Sequence, residues 1–269
     1  MKASLKQSRG ILNPGAGATK FQLARHLPAP DLSFFIEHYW LITWDLRGQE
    51  AYTQEILPYP SVHMVFEPGG SRIYGVITGK FARRLEGMGG VVGVKFRPGA
   101  FYPFLRSPVS RLTDKVIGLQ DAFGVPGDSL EQAIFAQASQ EQQIELVERF
   151  LCARLPEQDQ AIETINQIVD SIISDRAITK VDNLVRRFNL SKRTLQRLFS
   201  QYVGVSPKWV IKRYRLQEAA DQLADGTAVD WPKMALDLGY FDQAHFIKDF
   251  KMLVGRTPGE YARSLGGDS

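Results

Sequence analysis

The chain has 269 residues, 44% hydrophobic and 23% charged, with a net charge of +4; a chain of that length and composition is expected to bury two cores. No apolar run reaches the roughly 18–20 residues needed to cross a bilayer, and the N-terminal residues lack a signal-like apolar stretch, so a cytoplasmic protein with no membrane partner is expected. Cys152 is the single cysteine and excludes an internal disulfide; the four histidines (His26, His38, His63, His245) have no metal-ligand spacing, so no metal and no cofactor are expected.

In chain order, Pro14, Gly15, Gly17, Pro28 and Pro30 predict irregular backbone or an edge strand, and Asp31 is expected to cap a short helix. The aromatic run at 34–44 alternates in its second half, with apolar groups on both faces, as a buried strand does. Strand-like runs follow at 62–67, 72–78 and 91–96, separated by turn signals at 68–70 and 87–90. Short strands at this spacing predict a small, mostly antiparallel barrel or sandwich. Its aromatic and histidine positions Trp40, Trp44, Tyr52, Tyr59, His63, Phe66, Tyr74 and Phe96 are candidates to line an effector pocket, the competing reading being plain core.

Beyond residue 99 the periodicity becomes helical. Helices are predicted at 100–105, 130–138 and 140–155, the last opened by Ser139 with Gln142 three residues on as a capping box. Ile144, Val147 and Leu151 stripe this helix, either as core or as a dimer face, and Pro156 ends it. The polar run at 156–160 is the expected linker, giving a β-rich domain over 1–156 and an all-α domain over 161–266, α+β in class.

The second part is organised by a repeat. Phe199, Gly204 and Pro207 recur 51 residues later as Phe250, Gly255 and Pro258. Leu195 and Phe246 stand one helical turn before each phenylalanine, and Ser191 and Asp242 one turn before those, as N-caps. Short apolar-periodic segments at 181–188 and 231–238 lead into Asn189 and Gly239, residue types that tolerate a left-handed turn. The pattern predicts helix-turn-helix twice, joined by a helix over 209–223 that buries Ile211, Tyr214 and Leu216 and leaves Arg213 and Arg215 to solvent. Gly226 is expected to break that helix within 224–230. Between 176 and 215, eleven Lys and Arg face one acid, Asp182, whereas from 216 onward five bases face nine acids. A basic stretch coinciding with a helix-turn-helix predicts contacts to DNA phosphates.

The residues at 189–207 (NLSKRTLQRLFSQYVGVSP) and 235–261 (ALDLGYFDQAHFIKDFKMLVGRTPGEY) resemble the AraC/XylS family of bacterial transcriptional regulators. The resemblance covers about 161–263, with Val185 where the family usually has alanine and Asn189 where it usually has glycine. Residues 57–66 and 93–100 are similar to a β-rich sensor-type domain found in part of that family. The resemblance implies a non-enzymatic, sequence-specific promoter-binding regulator that contacts RNA polymerase, with an N-terminal part that binds a small effector or forms a homodimer. The alternative is a DNA-tethered enzyme or a protein-interaction module using the β-rich part, and no catalytic constellation can be assembled from its motifs.

On the first recognition helix, Leu195, Leu198, Phe199 and Val203 are expected inward and Lys192, Arg193, Gln196 and Arg197 outward. Arg193, Gln196 and Arg197 are the candidates for base reading, since Arg pairs bidentately with guanine and Gln with adenine; Ser191 caps and sits near phosphate. The second helix offers Gln243, His245 and Lys248 among Asp237, Asp242 and Asp249, and is expected to bind more weakly.

Overall fold

Strand parity divides the side chains of the N-terminal half between a core and a pocket. The computed structural model describes residue 17, residues 19–224 and residues 230–265. The expectations placed on Pro14, Gly15 and Gly226 lie outside these. Eight strands form: β1 (Gln22–His26), β2 (Ile36–Asp45), β3 (Tyr52–Ile56), β4 (His63–Phe66), β5 (Arg72–Tyr74), β6 (Phe81–Leu85), β7 (Met88–Phe96) and β8 (Val116–Gly118). They make a six-stranded sheet, β1-β2-β7-β4-β5-β8, and a two-stranded sheet, β3-β6, antiparallel throughout. The larger sheet ends at β1 and β8, so among the described residues it stays open and no barrel closes. The short strands β3, β6 and β8 lack the long apolar alternation that marks β2, which is why periodicity misses them.

Tyr39, Leu41, Met64, Phe66, Val92, Val94 and Phe96 occupy one face of the large sheet and are fully buried with Phe35, Phe101 and Phe104. Four helices cover that face: α1 (Tyr102–Leu105), α2 (Leu119–Phe123), α3 (Asp128–Phe135) and α4 (Gln140–Cys152). In α4 the Ser139 hydroxyl accepts the Gln142 N–H at 3.3 Å, and Ile144, Val147 and Leu151 are spent on this core. Asp31 does not cap a helix; it lies inside a single 3-10 turn, Pro30–Leu32, which Ala29 precedes.

The opposite face of the sheet carries Trp40 and Trp44, and the glycines of β7 make room for them. Trp40 pairs with Gly93 and Trp44 with Gly89 across the strands. A Cβ on Gly93 would lie 2.0 Å from the Trp40 ring, and one on Gly89 2.4 Å from the Trp44 ring. Residues 88–90 are therefore strand, and only the turn around Gly87, at φ 59°, remains of the 87–90 turn signal. Gly93→Val is expected to cost about 1–3 kcal/mol through this overpacking. A chemical denaturation midpoint unchanged from the parent would refute the packing argument.

The C-terminal helices are α5 (Gln160–Ser174), α6 (Val181–Phe188), α7 (Lys192–Leu198), α8 (Pro207–Ala224), α9 (Trp231–Asp237), α10 (Gln243–Val254) and α11 (Pro258–Leu265). Helix α7 runs on through a π turn over Phe199–Val203. Ile168, Ile172, Leu184, Leu195, Phe199 and Val203 build the core of the first helix-turn-helix; Leu216, Ala220, Phe246, Phe250 and Tyr261 build that of the second. Apolar packing crosses the 156–160 segment: Ile162 joins the N-terminal core, Val76 the first helix-turn-helix core and Leu57 the second.

Helix α8 corrects the wheel reading. Arg213 and Arg215 are each 1% exposed and not available to solvent. Helix α8 packs against α5, α6, α10 and α11, so the strip carrying both arginines is enclosed. Arg213 donates to the Pro58 carbonyl at 2.7 Å and to the Gln217 side chain, and lies 4.6 Å over the Tyr59 ring. Arg215 donates to the Ile172 carbonyl and pairs with Glu218 at 3.1 Å.

Candidate nucleic-acid interface and the pocket behind it

Each recognition helix is set by a turn and a cap. Asn189 takes φ 50° and Gly239 φ 83°, the left-handed conformation that reverses the chain between helices. At Gly239 a side chain is also excluded by space, since a Cβ would meet the Thr179 side chain at 2.5 Å. Ser191 Oγ accepts the Thr194 N–H at 3.0 Å and Asp242 Oδ1 the His245 N–H at 2.8 Å, satisfying otherwise orphaned donors at the two helix starts.

With Leu195, Phe199 and Val203 anchored, Ser191, Lys192, Arg193, Gln196 and Arg197 are exposed on α7. Lys192 pairs with Asp182 at 2.7 Å, whereas no hydrogen bond or ion pair holds Arg193, Gln196 or Arg197 among the described residues. Of the eleven bases between 176 and 215, Arg213 and Arg215 are buried, and Arg176, Arg187, Lys192 and Lys212 meet carboxylates. Lys180, Arg186, Arg193, Arg197 and Lys208 carry the charge that remains without a carboxylate partner among the described residues. The positive surface is thus smaller than composition implies and lies around α6, α7 and the start of α8.

On α10, His245 and Lys248 are exposed and Gln243 is half-buried. Asp249 is buried, paired with Lys212 and 3.4 Å from His245 Nε2, and Asp242 is engaged as a cap. Of the three acids expected to repel DNA here, Asp249 is therefore tied up internally, while Asp237 and the capping Asp242 are exposed. The two helix ends also differ. Gly255 N–H closes on the Lys251 carbonyl, whereas Gly204 N–H reaches back five residues to Phe199. That wider turn is gripped by the β-rich part: Thr113 Oγ1 donates to the Gly204 carbonyl at 2.6 Å, and Tyr202 packs on Tyr102 at 4.3 Å between centroids.

Between the two sheets lies a cavity of about 210 Å³. Trp40, Trp44, Tyr59, His63 and Tyr74 line it, as do Arg25, His38 and Lys95. Phe66 and Phe96 do not: each is one residue out of phase with a pocket-lining neighbour, and both are at 0% exposure in the core on the other face. Tyr52 sits outside the lining and packs near Phe21. Lys95 was missed by sequence reasoning, although a lysine between Val94 and Phe96 in a buried strand is itself a signal. Its ammonium donates to Glu37 at 2.9 Å and lies 3.8 Å over the Tyr59 ring. Burial depresses the Lys95 pKa against the pull of Glu37. Burial first, then the Lys95 charge, takes His63 down to about 3, so it is neutral at physiological pH. Burial works against ionisation of Glu37, yet hydrogen bonding to His38 and the Lys95 charge outweigh it and hold the carboxyl at about 2.

These features define a protein with two helix-turn-helix units behind a β-rich part that encloses a pocket. A family profile described as a helix-turn-helix domain matches residues 184–264, and one described as a domain of unknown function (DUF6597) matches residues 24–118. The chain is 34% identical over 86 residues to the HTH-type transcriptional regulator MtrA of Neisseria gonorrhoeae, covering 32% of this chain and 28% of that protein. It is 32% identical over 85 residues to an uncharacterized HTH-type transcriptional regulator of Haemophilus influenzae, again covering 32% and 28%. The match thus spans little more than a quarter of the length of these curated relatives. A solved structure of a probable AraC family transcriptional regulator from Rhodopseudomonas palustris is 27% identical, covering 40% of this chain and 98% of that one at a TM-score of 0.34. Residues 184–264 are thus similar to the helix-turn-helix domains of HTH-type transcriptional regulators. Among the described residues no helix is long and apolar enough to cross a membrane.

Proposed function

We propose that this chain binds a specific promoter sequence through residues 161–266 and that a small effector held by residues 1–156 controls that binding. The observation that carries the first part is the outward set Arg193, Gln196 and Arg197, anchored from behind by buried Leu195 and Phe199. Two helix-turn-helix units joined by one helix suit two successive major-groove segments on one side of a duplex. Ser191, Lys192, Gln243, His245 and Lys248 complete the proposed contacts. RNA polymerase, a second copy of the chain and a cytoplasmic location follow from the same reading.

The second part rests on the pocket wall. Leu57, Pro58 and Tyr59 line the cavity, while Leu57 also packs in the second helix-turn-helix core and the Pro58 carbonyl holds Arg213 of α8. A ligand that moves this wall acts directly on the helix that joins the two units. Sequencing of DNA fragments selected by the purified protein tests the first part. A bipartite motif is expected, with affinity falling steeply as salt rises because Lys and Arg release counterions from phosphate. A selected pool with no enriched sequence would sink promoter specificity.

A further inference from the structure

The cavity is sorted by charge as well as by polarity. Its rings and aliphatic groups come from Phe21, Trp40, Ile42, Trp44, Tyr74 and Phe81. Its ionisable lining is almost wholly basic: Arg25, His38, His63, Arg83 and Lys95 against one acid, Glu67. Glu67 is already neutralised by Arg83 at 2.5 Å. Toward the other end, Glu37 answers Lys95 from outside the lining, and Arg213, also outside it, adds one further positive charge nearby. Arg213 is buried with its Nη2 without a hydrogen-bond partner among the described residues, and it shares the Tyr59 ring with Lys95, at 4.6 and 3.8 Å from the centroid. Burial, with neighbouring positive charge added to it, lowers the basicity of Lys95 and His63.

Building on the pocket as an effector site, we propose that its ligand is an amphipathic monoanion. The apolar body lies between Trp40, Trp44 and Tyr74, and a carboxylate-like head sits at the Lys95–Tyr59 corner. An anion there gains charge-assisted hydrogen bonds from a side chain with N–H groups to spare. A cation meets like charge at short range in a low dielectric, and a neutral head forgoes the charge-assisted bonds. The same corner touches Arg213, so the head group is the part of the ligand closest to α8. Body fit sets whether a molecule enters, and head charge sets how tightly it stays.

The test uses three indoles of similar size and different charge: indole-3-acetate, tryptophol and tryptamine, titrated calorimetrically into the full-length protein. Indole-3-acetate is expected to bind at least tenfold more tightly than either of the others. Lys95→Met is expected to erase that preference while leaving tryptophol binding within about twofold. Because Lys95→Met strands Glu37, the double variant Lys95→Met/Glu37→Gln serves if the single one fails to fold. Equal or tighter binding of tryptophol or tryptamine to the parent protein would overturn the head-group assignment and leave the pocket standing. Preference for indole-3-acetate that survives loss of Lys95 would overturn the placement of the head. No binding by any of the three at millimolar concentration would remove the pocket as a ligand site and the inference with it.

Discussion

Arg213→Ala is expected to lower stability by about 3–5 kcal/mol while leaving the base preference of the folded protein unchanged. Truncation removes a donor from the Pro58 carbonyl and from Gln217, each a buried group that then costs about 1–3 kcal/mol to leave unpaired, and it opens a cavity under Tyr59. For a domain of 150–250 residues each kcal/mol corresponds to about 2–4 °C, so a fall in melting temperature on the order of 10 °C should accompany it. The same substitution read from charge alone removes one phosphate contact and predicts a reduced salt slope with ordinary stability. Thermal melts and salt titrations on one preparation separate the two accounts. A stable variant with a lower salt slope would place Arg213 on DNA and contradict its burial.

Arg197→Ala is expected to do the reverse. Its side chain is exposed, without a hydrogen-bonding or ionic partner among the described residues, and lies one helical turn from Arg193 on the outward side of α7. Removing it should leave the melting temperature within a degree or two and reduce affinity for the selected site by about 1–3 kcal/mol, which is about 5- to 150-fold. The preference at one base position should relax, because a bidentate guanine contact discriminates where a phosphate contact does not. If the loss were as large on random DNA, Arg197 would be holding backbone, and base reading would pass to Arg193 and Gln196. Arg197→Lys refines the result: it keeps the charge but not the planar fork, so it should restore phosphate binding and not base preference.

The helix-turn-helix units were legible because their determinants are local. Ser191, Asp242, Asn189, Gly239 and Gly255 each act on backbone within a few residues, and the apolar positions sit at helical spacing, so caps, turns and inward faces are all found where the residues predict. The β-rich part was legible in its long strands and not in its short ones. β2 and β7 run over ten and nine residues, while β3 and β6 pair through charged sequences whose pairing partners lie 25–33 residues away.

The cavity lining was half legible for the same reason. Of the residues that aromatic composition gathered, Trp40, Trp44, Tyr59, His63 and Tyr74 line the cavity and Phe66 and Phe96 do not, because composition does not record which parity of a strand faces which layer. The glycines of β7 show the converse: they resemble a turn in sequence and serve as flat ground for two indole rings.

The sequence by itself determined the repeated helix-turn-helix units, their caps and turns, and the α+β class, since these rest on propensity and periodicity over short distances. Only the tertiary structure decided which charges are free and which are spent. Arg213 and Arg215 read as surface in one dimension and are buried in three, and Asp249 is buried with half-buried Lys212 as its partner. Enclosing α8 brings partners from Pro58, Ile172 and its own helix neighbours to groups that could not be dehydrated alone. The pocket wall is shared with that helix for the same physical reason: long-range packing, which no local signal encodes, sets segment 57–59 between the cavity and α8.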